Sequence, residues 1–326
     1  MTKKIDIEPI TIVLPMRNAA TTVLLSLQSI SKQKYPIKEV IVIDNASSDN
    51  SISLVEEFSK NSKIPIKLIT RKRNESLGSS FNEGVKNSKS EFVILMHSDC
   101  VLPTGEEVAK LVEPIRLNKD VVATFSTILL LKSVWETYDF WIKYYLARAV
   151  GKEIAGLTSK FDCIRKDVYQ KIGGFDVPNF GMGSEDADLH QRLIKVGKVT
   201  KSKARVIHLH YLGQGYSFGK LLVKQKTVGR GCGRLLRMGR ISFVNNGLIL
   251  MVKPSLAILP FIPYFHIFGL ILIVMYSFLY TKSMFMSTSA LKNLRILALP
   301  FVNVFFLYYE TFWIIEAFLF GKNKIE

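Results

Sequence analysis

Four short apolar runs, at residues 10–15, 39–44, 66–70 and 92–96, alternate with helix-periodic stretches at 21–31, 51–61 and 78–87. No other feature constrains the fold as strongly. Strands alternating with helices imply βαβ units and a parallel sheet covered on both faces. Each run leads into polar residues: Arg17 and Asn18 after the first, Asp44 at the end of the second, Arg71 after the third and Asp99 after the fourth. Ligands of such sheets sit at the strands' carboxyl ends, so these are the first candidates for a site. After Asp99 the alternation loosens. Residues 121–131 are a strand candidate. Residues 135–149, with Trp135, Tyr138, Trp141, Tyr144 and Tyr145, are aromatic and amphipathic, a stretch that packs in the core or borders an acceptor groove.

Residues 173–193 form a second constellation. Gly173, Gly174, Pro178, Gly181 and Gly183 give an irregular loop. Ser184 suits an N-cap, and Glu185, Asp186 and Asp188 then occupy the first turn of a helix, where acids complement the dipole. Carboxylates held at the mouth of a glycine-rich loop are either an ordinary acidic helix start or a catalytic base.

The 326 residues suffice for one large domain and an appendage. The formal charge is +17, but it is unevenly placed. Residues 189–309 contain no Asp or Glu and 17 Lys and Arg, leaving 27 basic residues elsewhere against all 27 acids. Such asymmetry suits nucleic acid or an anionic membrane, and the apolar content selects the membrane. In residues 254–280 His266 is the one ionisable group short of the tyrosines, and 294–320 is a second apolar run carrying Glu310 and Glu316. Each is long enough to cross a hydrocarbon core, which needs about 20 residues. Residues 221–243 place Lys226, Arg230, Arg234, Arg237 and Arg240 on one helical face and Leu221, Val228, Leu235, Leu236 and Phe243 on the other, as an interfacial helix does. Gly229, Gly231, Gly233 and Gly239 work against a rigid helix there. The two runs are expected to form an antiparallel hairpin in which His266 and Glu310 lie at depths differing by about 3 Å and meet. Basic flanks put the remainder of the chain on the cytoplasmic side. The first eight residues lead directly into a strand-like run, and no signal peptide is expected. Cys100, Cys163 and Cys232 are scattered and fit a reducing compartment.

Val13-Leu-Pro-Met-Arg-Asn18, Val42-Ile-Asp-Asn-Ala-Ser-Ser-Asp49, Asn74 with Gly78 and Asn82-Glu-Gly84, Ser98-Asp99, and Gly173-Gly-Phe-Asp176 followed by Glu185-Asp186 stand in this order. Together they resemble family 2 glycosyltransferases over roughly residues 8–215. The resemblance implies a GT-A fold, α/β with a Rossmann-like, mostly parallel sheet. It also implies metal-dependent transfer of a sugar from a nucleotide donor, usually with inversion. It assigns Asp186, with Glu185 beside it, to the base. Asp99 and His208 fall to a Mg²⁺ or Mn²⁺ ion. The donor falls to Pro15, Arg17, Asn18, Asp44, Asn45, Arg71, Asn74, Gly78, Asn82, His97 and Ser98. Two residues depart from the family pattern. His97 stands where the first Asp of Asp-X-Asp is usual, and Phe81 stands where Arg is frequent before Asn82.

The expected organisation is a glycosyltransferase domain at 1–215, a basic interfacial segment at 216–250, and two transmembrane helices with a short tail at 251–326. The expected partners are a nucleotide-sugar donor, a lipid-linked acceptor and anionic membrane lipids, with no nucleic acid. The location is a multi-pass position in the cell membrane. The alternative is a non-catalytic nucleotide-sugar sensor or scaffold. A nucleotidyltransferase would carry a glycine- and arginine-rich loop after the first strand, and Pro15-Met-Arg-Asn18 is not one.

Overall fold

The computed structural model describes residues 8–181, 183–210, 215–241 and 248–321. The expected leader-free start at 1–7, the tail at 322–326, Met182 and the end of the basic segment at 242–247 lie outside the described residues. By contact the chain divides into two units. One comprises Met1–Leu130, Glu153–Val177 and Glu185–Leu212; the other comprises Leu131–Lys152, Pro178–Ser184 and Gly213–Glu326. Residues 131–152 and 178–184 therefore group with the C-terminal unit, not with the domain expected at 1–215.

The first unit begins as β1 (Ile10–Met16), α1 (Val23–Ser31), β2 (Ile37–Asp44), α2 (Ser51–Asn61), β3 (Ile66–Thr70), α3 (Leu77–Asn87) and β4 (Phe92–Met96). These are the alternating elements expected from the sequence. It continues through β5 (Cys100–Val101), α4 (Glu107–Leu117), β6 (Val121–Leu129), β7 (Glu153–Ala155), β8 (Phe161–Arg165), α5 (Lys166–Lys171), α6 (Glu185–Leu193) and β9 (Lys198–His208). The sheet order is β3-β2-β1-β4-β8-β6-β9-β5, with β7 on β6. From β3 to β4 every pairing is parallel. The parallel run stops there: β8 lies antiparallel between β4 and β6, and β5 is antiparallel to β9.

Alternation along β1 and β2 divides the core between the two faces. Ile12, Leu14, Val40 and Val42 pack with Val23, Leu27 and Val108 on one face. Val13, Ile41 and Ile43 pack with Phe81, Val85 and Leu189 on the other. Gly84 lets α3 lie close on this second face, since a Cβ there would sit 2.1 Å from Val13 Cγ1. The order reverses at β1, which lies between β2 and β4: the chain moves out through β2 and β3 and returns to β4 on the other side of β1, the crossover helices α1 and α3 covering opposite faces. The crevice beyond β1 and β4 is the topological switch point where such sheets take ligands.

The second unit is helical. The aromatic, amphipathic stretch at 135–149 lies on two helices, Lys132–Trp135 and Phe140–Leu146. Asp139 breaks them by capping the second, its carboxylate accepting from the N–H groups of Trp141 and Ile142. Then come α7 (Phe218–Arg237), α8 (Leu248–Ile258), α9 (His266–Leu279) and α10 (Leu299–Leu319). The apolar run at 254–280 is not one span. It breaks after α8 at Pro260 and Pro263, because proline lacks an N–H and disfavours helix in the residue before it. At 1.5 Å per residue, α8 and α9 reach about 16 and 21 Å, short of the roughly 30 Å hydrocarbon core. Among the described residues one helical stretch, Leu294–Leu319, is long and apolar enough to cross a membrane. The expected pair of transmembrane helices reduces to that one.

The expected contact of His266 with Glu310 is also replaced. His266 is exposed at the start of α9, and Glu310, 4% exposed, is paired with Lys253, which also donates to Tyr280 Oη at 2.8 Å. Helix α8 starts before the apolar run and brings Lys253 alongside α10, so the cation comes from the run's flank. The glycines of α7 serve close packing instead of flexibility. A Cβ at Gly229 would lie 3.0 Å from Glu310 O, and one at Gly233 2.2 Å from Ile314 O. Helix α7 ends at Arg237, and Gly239 follows in the left-handed region. The basic face expected for lipid is partly engaged within the unit. Arg230 forms a two-bond pair with Glu316, Lys226 lies 4.1 Å above the Trp313 ring, and Arg234 donates to Asn179 O.

Candidate active site

At the carboxyl end of β1, Pro15 is buried, Arg17 is exposed, and Asn18 turns the chain at φ +48°. Asn18 N–H donates to Ser47 Oγ at 2.9 Å, and its Oδ1 accepts from Ser48 N–H at 2.8 Å, tying the loop after β1 to the loop after β2. Asp44, the last residue of β2, is 1% exposed. Its Oδ2 accepts from Ser47 N–H, while Oδ1 is buried without a hydrogen-bond partner. A buried acceptor left unsatisfied is costly, and an N–H or O–H of a ligand would remove that cost.

Several sequence candidates instead hold the frame around this crevice. Asn45 donates to Asn74 Oδ1 at 3.0 Å and accepts from Glu75 N–H at 2.9 Å. Arg71 donates to Glu83, Ser80 Oγ and Ser79 O, clamping α3. Gly78 admits Phe175, whose Cβ would lie 2.9 Å from an added methyl. Asn82 grips the Gly173-Gly174-Phe175 turn. Its Oδ1 accepts from Phe175 N–H at 2.9 Å and Tyr169 Oη–H at 2.6 Å, and its amide donates to Phe175 O at 3.0 Å. Phe81 is fully buried and stacks on Phe175, with the His97 ring 6.0 Å away. The departure at Phe81 is thus a core residue beneath the site.

The end of β4 carries His97, Ser98 and Asp99. Cys100 lies opposite His208 in the β5–β9 pairing, and Leu209 N–H donates to Asp99 O, which sets Asp99 beside the end of β9. His208 Nε2 is 3.2 Å from Asp99 Oδ2, and His97 Nδ1 is 3.9 Å from Asp99 Oδ1. One ligand atom from each of the three lies within 4.8 Å of the others. His210, two residues on, just past the end of the same strand and without a motif to mark it, adds Nδ1 at 3.4 Å from His208 Nε2. Burial alone would raise the Asp99 carboxyl. His208 outweighs it by charge and hydrogen bond, with His97 and His210 adding to the effect, so Asp99 is held well below the usual carboxylate range. Ser98 stands between, and its carbonyl accepts from Ser26 Oγ at 2.9 Å. His97, assigned from the sequence to the donor, falls instead among the potential metal ligands.

Glu185 and Asp186 open α6, partly buried, in the acid-rich first turn expected. Ser184 does not have a cap's extended backbone; its φ is +63°. Asp186 Oδ1 accepts from Ser159 Oγ–H at 2.7 Å, and Ser159 Oγ is 3.3 Å from His97 Nε2. One hydroxyl therefore joins the β4 cluster to the acid of α6. Ser159 has φ +55° and is fully buried. Beneath it Asp162, also fully buried, accepts from the N–H groups of Thr158 (2.7 Å) and Ser159 (2.5 Å). Burial, with the Asp186 charge adding, pushes Asp162 up to about 7 against its backbone hydrogen bonds. The sequence signal for Asp162 was an acid inside a strand, Phe161-Asp-Cys-Ile-Arg165. Ser159 left no signal, because its role depends on a fold-brought neighbour.

The sequence pattern described as Glycosyl transferase family 2 matches residues 11–173. Over 97 residues the chain is 33% identical to poly-β-1,6-N-acetyl-D-glucosamine synthase of Staphylococcus epidermidis, covering 30% of this chain and 23% of that protein. It thus spans under a quarter of that relative's length. It is 24% identical to glycosyltransferase AglE of Haloferax volcanii over 242 residues, 72% of this chain and 76% of AglE. Its fold is similar to that of the mannosyltransferase PcManGT of Pyrobaculum calidifontis, solved with GDP-Man and Mn²⁺. There the TM-score is 0.60 at 14% identity, over 97% of this chain and 88% of the other. It is also similar in fold to glucosyl-3-phosphoglycerate synthase of Mycobacterium tuberculosis, solved with Mn²⁺, UDP and phosphoglyceric acid. That TM-score is 0.50 at 15% identity, over 72% of this chain and 78% of the other.

Proposed function

The chain belongs to glycosyl transferase family 2, and from that premise we propose that it transfers a sugar from a nucleotide-sugar donor to a lipid-linked acceptor at a membrane. The observation that carries this reading is the meeting of His97, Asp99 and His208 at the end of β4, one hydroxyl away from Asp186. Asp44 supports it with a buried oxygen suited to a donor group of the nucleoside.

In this reading Asp186 removes the acceptor's hydroxyl proton. The acceptor oxygen bonds to the anomeric carbon as the carbon–oxygen bond to the diphosphate breaks, and the nucleoside diphosphate leaves with that electron pair. Attack from the side opposite the leaving group inverts the centre. A divalent ion held by Asp99, His208 and His97 would neutralise the diphosphate's charge. The donor set fits such an ion. One carboxylate with two imidazoles is nitrogen-rich for Mg²⁺, which prefers oxygen, and suits Mn²⁺ better. The chain's own residues do the rest: Asp44 takes the nucleoside end, and Asn18 holds the two loops around it.

The exposed apolar residues of the second unit support membrane attachment. Phe301 is 78% exposed, Leu294 84% and Tyr264 98%. Helix α10 would span, and basic flanks would keep the first unit on the cytoplasmic side. A cavity of about 370 Å³ in the second unit is lined by Asp139, Phe140, Trp141, Tyr216, Lys220 and Arg295 among others; with the Asp139 carboxylate taken by the N–H groups of Trp141, Ile142 and Tyr216, its aromatic rings and two cations suit a phosphate-bearing lipid acceptor.

The test is a thermal-shift screen of UDP- and GDP-sugars with Mn²⁺, followed by turnover of the donor that shifts most. Asp186→Asn should bind that donor and lose about 10²–10⁴ in rate. Asp99→Ala should abolish Mn²⁺-dependent donor binding by calorimetry. Asp44→Ala should weaken it with or without the ion. An Asp186→Asn variant with full transfer, or unchanged Mn²⁺-dependent affinity in Asp99→Ala, would sink the reading.

A further inference from the structure

We propose that Ser159 and Asp162 are positioning residues that fix the carboxylate of Asp186, a role that rests on Asp186 being the base of the reaction proposed above. Strand β8 is the rigid starting point. It pairs on both sides, with Asp162 opposite Leu95 of β4 and Phe125 of β6. A carboxylate fully buried in the middle of a sheet needs a reason to be there. Here its Oδ2 gathers the N–H groups of Thr158 and Ser159, closing the turn that precedes the strand.

That closure holds Ser159 in the left-handed region, where glycine is the undemanding choice. A strained non-glycine residue at a site points to a role for its side chain. The hydroxyl has one proton and three neighbours: Asp186 Oδ1 at 2.7 Å, Thr158 O at 2.7 Å and His97 Nε2 at 3.3 Å. The carboxylate takes the proton, because a charged acceptor makes the stronger bond. A lone pair then faces His97. The line His97–Ser159–Asp186 ties the acid of α6 to the end of β4, so the oxygen that receives the acceptor's proton keeps a fixed direction. His97 N–H also donates to Lys160 O at 3.4 Å, so backbone and side chain brace the same junction.

Glycine at position 159 separates positioning from turn formation. Ser159→Gly relieves the backbone and removes the hydroxymethyl side chain that carries the hydroxyl. The full chain is assayed for Mn²⁺-dependent hydrolysis and transfer with whichever of UDP-N-acetylglucosamine and GDP-mannose gives the larger thermal shift. The thermal midpoint of Ser159→Gly stays level or rises, KM for donor holds, and kcat falls about ten- to a hundred-fold, as misplacing a reacting group does. In an Asp186→Asn background the same change produces no further loss, because the two groups act as one. Asp162→Asn retains an acceptor for the turn and loses less than Ser159→Gly. If Asp186→Asn is inactive while Ser159→Gly turns over like wild type, the positioning role is overturned and the base assignment stands. If Asp186→Asn is itself fully active, both fall.

Discussion

Alanine at Gly173 and at Gly174 should separate two costs that the sequence motif Gly-Gly-Phe-Asp merges. Both residues have positive φ, +81° and +62°. A side chain in the left-handed region costs about 1–2 kcal/mol. At Gly173 nothing lies within 4 Å of the added methyl, so that cost is the whole effect. At Gly174 the methyl would sit 2.3 Å from Asn82 Oδ1 and 2.7 Å from Tyr169 Cε1. Relieving this overlap adds about 1–3 kcal/mol. It also displaces the acceptor of two hydrogen bonds, each worth about 1 kcal/mol net. The sum for Gly174→Ala is about 4–7 kcal/mol. At about 2–4 °C per kcal/mol, Gly173→Ala should lower the melting temperature by about 2–8 °C and Gly174→Ala by about 8–28 °C. Differential scanning fluorimetry of the full chain in detergent reads the difference. In an Asn82→Ala background much of the Gly174→Ala penalty should vanish, because the obstructing oxygen is gone. Equal melting temperatures for the two single variants would refute the reasoning and mean that Asn82 yields freely.

The Asp162 carboxyl lies above its unfolded value, so its contribution to stability is full at pH below about 4 and is lost as pH rises through about 7. Thermal unfolding from pH 5 to 8 should therefore show a decline that Asp162→Asn flattens; parallel curves would refute the shift. In α7, Gly233→Ala should destabilise by about 1–3 kcal/mol through overlap with Ile314 O. Gly219→Ala, whose nearest neighbour is 3.7 Å away, should gain up to about 1 kcal/mol of helix propensity, and unfolding temperatures of the pair should move in opposite directions. Lys253→Met leaves Glu310 buried without its cation and should cost about 3–5 kcal/mol. Adding Glu310→Leu should restore most of that melting temperature, and failure to restore it would mean that packing, not charge, holds α8 to α10.

Elements that need only local pattern and burial can be read along the chain. Period-two and period-3.6 spacing marked β1 to β4 and α1 to α3, and the polar residues that close those strands marked the crevice where Asp44 and Asp99 lie. An ordered set of short motifs was enough to indicate the family. Whatever depends on which surfaces meet emerges only in the packed fold. Asn82, Asn45 and Arg71 look like ligand contacts in a motif, yet their hydrogen-bonding groups are taken by Phe175, Glu75 and Glu83. The partner of Glu310 is Lys253 because two prolines divide an apolar run that composition alone reads as continuous. The α7 glycines, costly for an isolated helix, are what lets α10 approach. Ser159 shows the division most plainly. Its hydroxyl gains meaning only when a sheet pairing, a left-handed turn and a helix start converge on it from residues 97, 162 and 186, because hydrogen bonds are short-ranged and chain separation carries no record of them.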